Sequence, residues 1–108
     1  PAGLLQPLDI PLAVWTNLSM DLITALPKSR GYDTILVVVD RLSKYAHFLL
    51  LKHPYTAAKV ADLFFREVVR LHGIPQSIVS DRDPLFLSHF WTTLFKLHGT
   101  LLRFSSTY

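Results

Sequence analysis

A helical pattern stands between two strand patterns in this chain, and that interruption constrains the fold more than any other feature. Thr34 to Val39 is an unbroken β-branched and aliphatic run, and Gln76 to Asp81 is a second β-rich run that stops just before Pro84. Between them Val60, Leu63, Phe64, Val68 and Leu71 recur at helical spacing, while Lys59, Asp62, Arg66, Glu67 and Arg70 fall largely on the other side. A helix between two strands is a crossover, so the strand after it is predicted to lie parallel to its neighbour. The right-handed crossover rule then sets that strand beside the first strand of the chain.

The flanking segments complete the order. From Trp15 to Ile23 the sequence alternates, with Leu18, Met20 and Leu22 on one side and Asn17, Ser19, Asp21 and Ile23 on the other. Thr34 to Val39 shows no such alternation and reads as a central strand covered on both faces. Asp40 to Ser43 is short enough for a hairpin link, and Lys44 to Leu51 reads as the third strand. Thr56 is a predicted N-cap, Asp62 and Arg66 a predicted i,i+4 pair, and Gly73 with Pro75 a helix stop. Ser88 is predicted to cap a second helix whose Phe90, Trp91, Leu94, Phe95 and Leu97 form a core stripe closed by Gly99. Thr100 to Phe104 then reads as a short fifth strand. The predicted order is βββαβαβ, an α/β fold with a five-stranded mixed sheet. The tripeptide Leu-His-Gly, at 71–73 and 97–99, reads as helix-end punctuation rather than as a repeat.

Pro1, Pro7 and Pro11 make residues 1–12 an extended linker by composition, leaving 13–108 as the folding unit. Half of the 108 residues are hydrophobic and only 18% are charged, which argues against disorder. A net charge of +3 permits a polyanionic partner without requiring one. With no cysteine, disulfides and thiolate metal sites are excluded. The apolar runs are too short for a membrane helix, and the N-terminus lacks the pattern of a signal peptide. The chain has no initiator methionine and stops at Tyr108 in mid-pattern, so it reads as an excised piece of something longer.

The candidate chemistry lies in carboxylates at strand ends. Asp81 closes the strand after the crossover, where ligands bind in open α/β sheets, and Asp21 sits on the polar face of the strand predicted beside it. Two carboxylates held close repel unless one protonates or a cation sits between them, and hard divalent ions prefer such oxygen ligands. A pair of this kind can hold metal for phosphoryl transfer. Other polar residues have plainer explanations. His47, His53, His72, His89 and His98 show no ligand spacing, Glu67 is a solvated helix residue, and Asp40 is a turn or salt-bridge acid near Arg41. Lys28, Arg30, Lys44 and Lys52 are scattered, unlike a phosphate-binding patch.

Three segments carry a resemblance. Trp15-Thr16-Asn17-Leu18-Ser19-Met20-Asp21-Leu22-Ile23, Val37-Val38-Val39-Asp40-Arg41-Leu42-Ser43-Lys44-Tyr45-Ala46-His47-Phe48 and Ser77-Ile78-Val79-Ser80-Asp81-Arg82-Asp83 closely resemble the integrase catalytic core of gypsy-type LTR retrotransposons, in the retroviral integrase superfamily. Gly3 to Leu8 also looks like the linker that joins an upstream zinc-binding region to that core. The resemblance implies a ribonuclease H-like fold, Mg²⁺ or Mn²⁺ dependence, and DNA 3′-end processing and strand transfer. Asp21 and Asp81 match the family's first and second catalytic aspartates and would be metal ligands, whereas Asp83 would structure the loop.

The family's third carboxylate is a glutamate on a helix after the fifth strand. Only Glu67 is present, so the chain reads as truncated before that glutamate, with the C-terminal helices missing and little activity expected of it alone. The implied partners are retrotransposon DNA ends, target DNA and further copies in a homo-oligomer, with no membrane. The implied place of action is the nucleus, after a cytoplasmic particle. Two alternatives remain open: an assembly module that self-associates without catalysis, and a ribonuclease H-like nuclease.

Overall fold

The computed structural model describes residues 13–105, with side chains described through Leu101, so the linker predicted for 1–12 lies outside the described residues. Strands β1 (Asn17–Ile23), β2 (Thr34–Asp40) and β3 (Ala46–Leu51) come first. Helix α1 (Ala57–Phe64) follows and runs through a π-helical turn, Phe65–Val69, into the short α2 (Arg70–His72); β4 (Ser77–Val79) and the long α3 (Pro84–Ser105) complete the order. The sheet order is β3-β2-β1-β4, antiparallel except for the parallel β1–β4 seam. The predicted crossover therefore holds, with β4 beside β1.

One face of the sheet is packed. Leu18 and Met20 of β1, Leu36 and Val38 of β2 and Leu51 of β3 meet Val60, Ala61 and Phe64 of α1, Val68 of the π turn, and Phe90 and Leu94 of α3. Phe64 and Phe90 meet edge to face, with ring centroids 5.4 Å apart. Each fully buried large side chain contributes about 1.5–3 kcal/mol over leaving it in water. The helices stop and start where their caps dictate. The Thr56 hydroxyl accepts from the Lys59 amide at 3.1 Å, Arg66 pairs with Asp62 at 3.0 Å, and Gly73 closes α2 at φ +88°, which suits only glycine.

Four expectations need correction. First, there is no fifth strand among the described residues: 100–105 continue α3. The apolar spacing of Leu94, Leu97 and Leu101 carries the helix through Gly99, which costs an interior helix only about 1 kcal/mol. Leu-His-Gly is therefore a stop at 71–73 and helix interior at 97–99. Second, α3 begins four residues before Ser88. Asp83 is its cap, accepting from the Phe86 amide at 2.8 Å, and Pro84 takes the first helical position, where a missing N–H does no harm. Third, β2 alternates between buried and half-buried residues, because the helices lie on one face only. Fourth, Phe95 is 56% exposed, at the edge of the stripe that buries Phe90 and Leu94; it stacks on Trp91 with ring centroids 5.4 Å apart.

Candidate active site

The site begins with the parallel seam. Asn17, Leu18 and Ser19 of β1 pair with Ser77, Ile78 and Val79 of β4, a constant offset of sixty residues. The Ser77 hydroxyl donates to the Asn17 side-chain oxygen at 2.8 Å, so these two side chains share a face of the sheet. Successive side chains alternate along a strand. Ser19 and Val79 are therefore next on that face, and Asp21 follows on β1.

The ladder itself stops at Val79. Ser80 and Asp81 leave the strand toward α3, and the Ser80 hydroxyl accepts from the Arg82 amide at 3.2 Å. Asp21 lies opposite Val37 of β2 and is exposed, as is Asp81. The fold thus sets β1 and β4 side by side and parallel, with Asp21 on the face away from the helices and Asp81 two residues past the end of the paired segment. No ion pair engages either one among the described residues. Arg82, between Asp81 and Asp83 in sequence, lays its guanidinium over the Phe86 ring, 4.7 Å from the centroid.

The remaining acids sort by geometry. Asp83 caps α3, as its loop-structuring role required. Glu67 is exposed in the π turn. Asp40 is fully buried and accepts from the Trp15 amide (3.0 Å), the Ser43 amide (3.1 Å) and the Ser43 hydroxyl (2.6 Å), so it is a turn acid without a salt bridge. Burial opposes its charge, but these donors outweigh burial and hold the carboxyl below its usual range. No group of three or more His, Asp or Glu side chains able to hold a metal converges among the described residues. A cleft of about 660 Å³ is lined by Tyr32, Lys52, His53, Lys59, Asp62 and Arg66, among others, and includes neither Asp21 nor Asp81.

One constellation was invisible in the sequence. His47 of β3 and His72 of α2 meet with their Nε2 atoms 3.1 Å apart, and Trp15 stacks on His72 with centroids 4.3 Å apart and planes 11° from parallel. Sequence spacing cannot report a pair separated by 25 residues and joined only by tertiary packing. Burial, and then the neighbouring His47, push the His72 ring below its usual value of 6.5 against the opposing pull of Asp40.

Comparison with known proteins places the fold. No family model matches the chain. The polyproteins of transposons Tf2-3, Tf2-4 and Tf2-5 from Schizosaccharomyces pombe are each 39% identical to it over all 108 residues. A solved structure, the HTLV-2 integrase catalytic core domain in complex with magnesium in its dimeric form, superposes with a TM-score of 0.60 and 24% identity, covering 81% of this chain and 59% of that one. The chain is homologous to a segment of retrotransposon polyproteins, and its fold is that of an integrase catalytic core. It spans about 8% of the length of those polyproteins. The chain has the mixed α/β, ribonuclease H-like fold, with four sheet strands among the described residues where five were predicted. No helix among the described residues is long and apolar enough to cross a membrane.

Proposed function

We propose that this integrase-core segment supplies two carboxylates, Asp21 and Asp81, to a divalent-metal site for DNA 3′-end processing and strand transfer. The carrying observation is the β1–β4 register, which runs parallel from Asn17–Ser77 to Ser19–Val79, with Asp21 and Asp81 each two residues further on. The donor set fits the ion. Both side chains offer only oxygen, both are exposed, and neither is neutralised by a basic side chain among the described residues, as a hard Mg²⁺ or Mn²⁺ ligand requires. The HTLV-2 core of the same fold was solved with magnesium.

When bound, such an ion polarises a phosphoryl oxygen and lowers the pKa of an attacking water or hydroxyl. The chain's own part is placement. The β1 ladder fixes Asp21, while the Ser80 turn and the Asp83–Pro84 start of α3 fix the backbone on either side of Asp81. The substrates would be retrotransposon DNA ends and target DNA, met in the nucleus after passage through a cytoplasmic particle. No group of three or more acids or histidines converges among the described residues, so on this reading these residues by themselves would be catalytically inactive. Robust Mg²⁺-dependent joining of DNA ends by this chain would refute that.

The test is thermal unfolding with and without Mg²⁺ or Mn²⁺. An ion that binds only the native state adds about 2.7 kcal/mol at a hundred times its Kd. Asp21→Asn and Asp81→Asn should each abolish the metal-induced rise in Tm, and Asp62→Asn should leave it intact. An unchanged rise in both strand-end variants would remove the proposed site.

A second reading, association of copies without catalysis, draws on the uncovered sheet face. Ile23, Phe48, Leu50 and Val79 are exposed there beside half-buried Ile35, Val37 and Val39. Contiguous apolar surface of this kind favours association, and the HTLV-2 core was solved as a dimer. The readings separate on metal, since association through this face needs no bound ion.

A further inference from the structure

The His47–His72 pair lies apart from the two aspartates. His47 pairs in register with Val38, whose side chain is buried against the helices, whereas Asp21 faces Val37 on the uncovered side. His72 is the last residue of α2, and Trp15 precedes β1, so the cluster also sits at the amino end of β1. Nothing in the proposed chemistry uses it.

From the Nε2 convergence we propose that His47 and His72 form a two-imidazole site for a borderline divalent transition-metal ion of the Zn²⁺, Ni²⁺ or Cu²⁺ class. Imidazole nitrogens bind Zn²⁺ at 2.0–2.1 Å, so two of them on one tetrahedral ion stand about 3.3 Å apart. The observed separation is 3.1 Å. A small adjustment of either ring admits an ion on the outer side of the pair, and His72 is exposed while His47 is half-buried, so the nitrogens are reachable.

The rings are held before any ion arrives. Trp15 stacks on His72 and lies tilted against His47 with centroids 4.9 Å apart, and the two imidazoles stand 5.3 Å apart, centroid to centroid. Trp15 is itself held at φ +62° by its amide hydrogen bond to the buried Asp40. Side chains already ordered lose less freedom on binding, which favours the complex. Two protein ligands leave the other positions of the ion to water, an open site of moderate affinity. The donor type sets the class: imidazole suits Zn²⁺, Ni²⁺ and Cu²⁺, whereas Mg²⁺ is served by carboxylate oxygen. This site and the aspartate site thus select different ions.

The experiment is titration of the 108-residue chain with Zn²⁺ by calorimetry in the presence of excess Mg²⁺. One ion per chain should bind, at least tenfold more weakly after His47→Gln or His72→Gln and unchanged after His53→Gln. Equal affinity in the parent and both ring variants would overturn the site. Should the variants unfold, ¹⁵N spectra of the histidine rings decide on the unaltered sequence. Zn²⁺ must shift the Nε2 signals of His47 and His72 together, and shifts confined to other histidines would overturn it equally. In a Trp91→Phe background Cu²⁺ should also quench Trp15 fluorescence at the same stoichiometry. Loss of the Mg²⁺ effect at Asp21 would leave all of these readouts unchanged.

Discussion

The buried carboxylate of Asp40 accepts the Trp15 amide hydrogen at 3.0 Å, and so ties the entry of β1 to the exit of β2. The same side chain closes the β2–β3 link through the Ser43 amide and hydroxyl. Trp15 sits at φ +62° and Lys44 at φ +72°, conformations that cost an L residue about 1–2 kcal/mol each, and Asp40 anchors both segments. Asp40→Ala leaves two part-buried amides without their acceptor and should lower stability by about 1–3 kcal/mol. Asp40→Asn keeps an acceptor for one of them and should cost less. Urea denaturation measures both, and a loss below about 0.5 kcal/mol for the alanine variant would show that the network contributes little.

The same residue predicts an acid limb. Its folded carboxyl titrates below the usual 3.8, so the native state binds fewer protons than the unfolded chain in that window. The stabilisation is complete above about pH 3.8 and drains as pH falls through the still lower native value. Asp33 acts in the same direction, held down first by the His53 amide. The slope of unfolding free energy between pH 5 and pH 2 should flatten in Asp40→Asn. An identical slope in parent and variant would assign acid sensitivity to other carboxylates.

Much of this architecture is legible in the residues themselves. Alternation in β1 places Asp21 on the open face, and the helical pattern of 57–72 forces the parallel seam that ends two residues before Asp81. Local chemistry also marks the Thr56 cap, the Asp62–Arg66 pair and the Gly73 stop. What escapes is what depends on distant partners. The continuous apolar run of β2 looks the same whether one face or two are covered. The burial of Asp40 depends on Trp15, and the meeting of His47 with His72 on packing across 25 residues. Glycine alone does not tell a helix end from a helix interior, and that ambiguity produced the unrealised fifth strand.

Phe48 tests the uncovered face. Its side chain is 66% exposed beside Val37 and opens onto the same surface as Leu50 and Ile23. Phe48→Lys should change the stability of the fold by about 0.5 kcal/mol or less, because little of the ring is buried. It should weaken self-association at least tenfold, read by sedimentation across a range of concentrations. Unchanged sedimentation would move any interface elsewhere.

The two Leu-His-Gly glycines give opposite predictions. At Gly73 the backbone stands at φ +88° and ψ 176°, and its amide donates to the Val69 carbonyl at 2.7 Å to close the helix. A Cβ there meets no neighbour, so the cost of Gly73→Ala is conformational alone, about 1–3 kcal/mol of destabilisation. At Gly99 the backbone is helical and a Cβ again meets nothing within 4 Å. Replacing an interior helical glycine by alanine removes an entropic penalty, so Gly99→Ala should stabilise the chain by about 0.5–1 kcal/mol. Thermal or urea unfolding of the two variants side by side reads both signs. Destabilisation by Gly99→Ala would mean that the segment ends a helix after all, and would reopen the case for a strand beyond it.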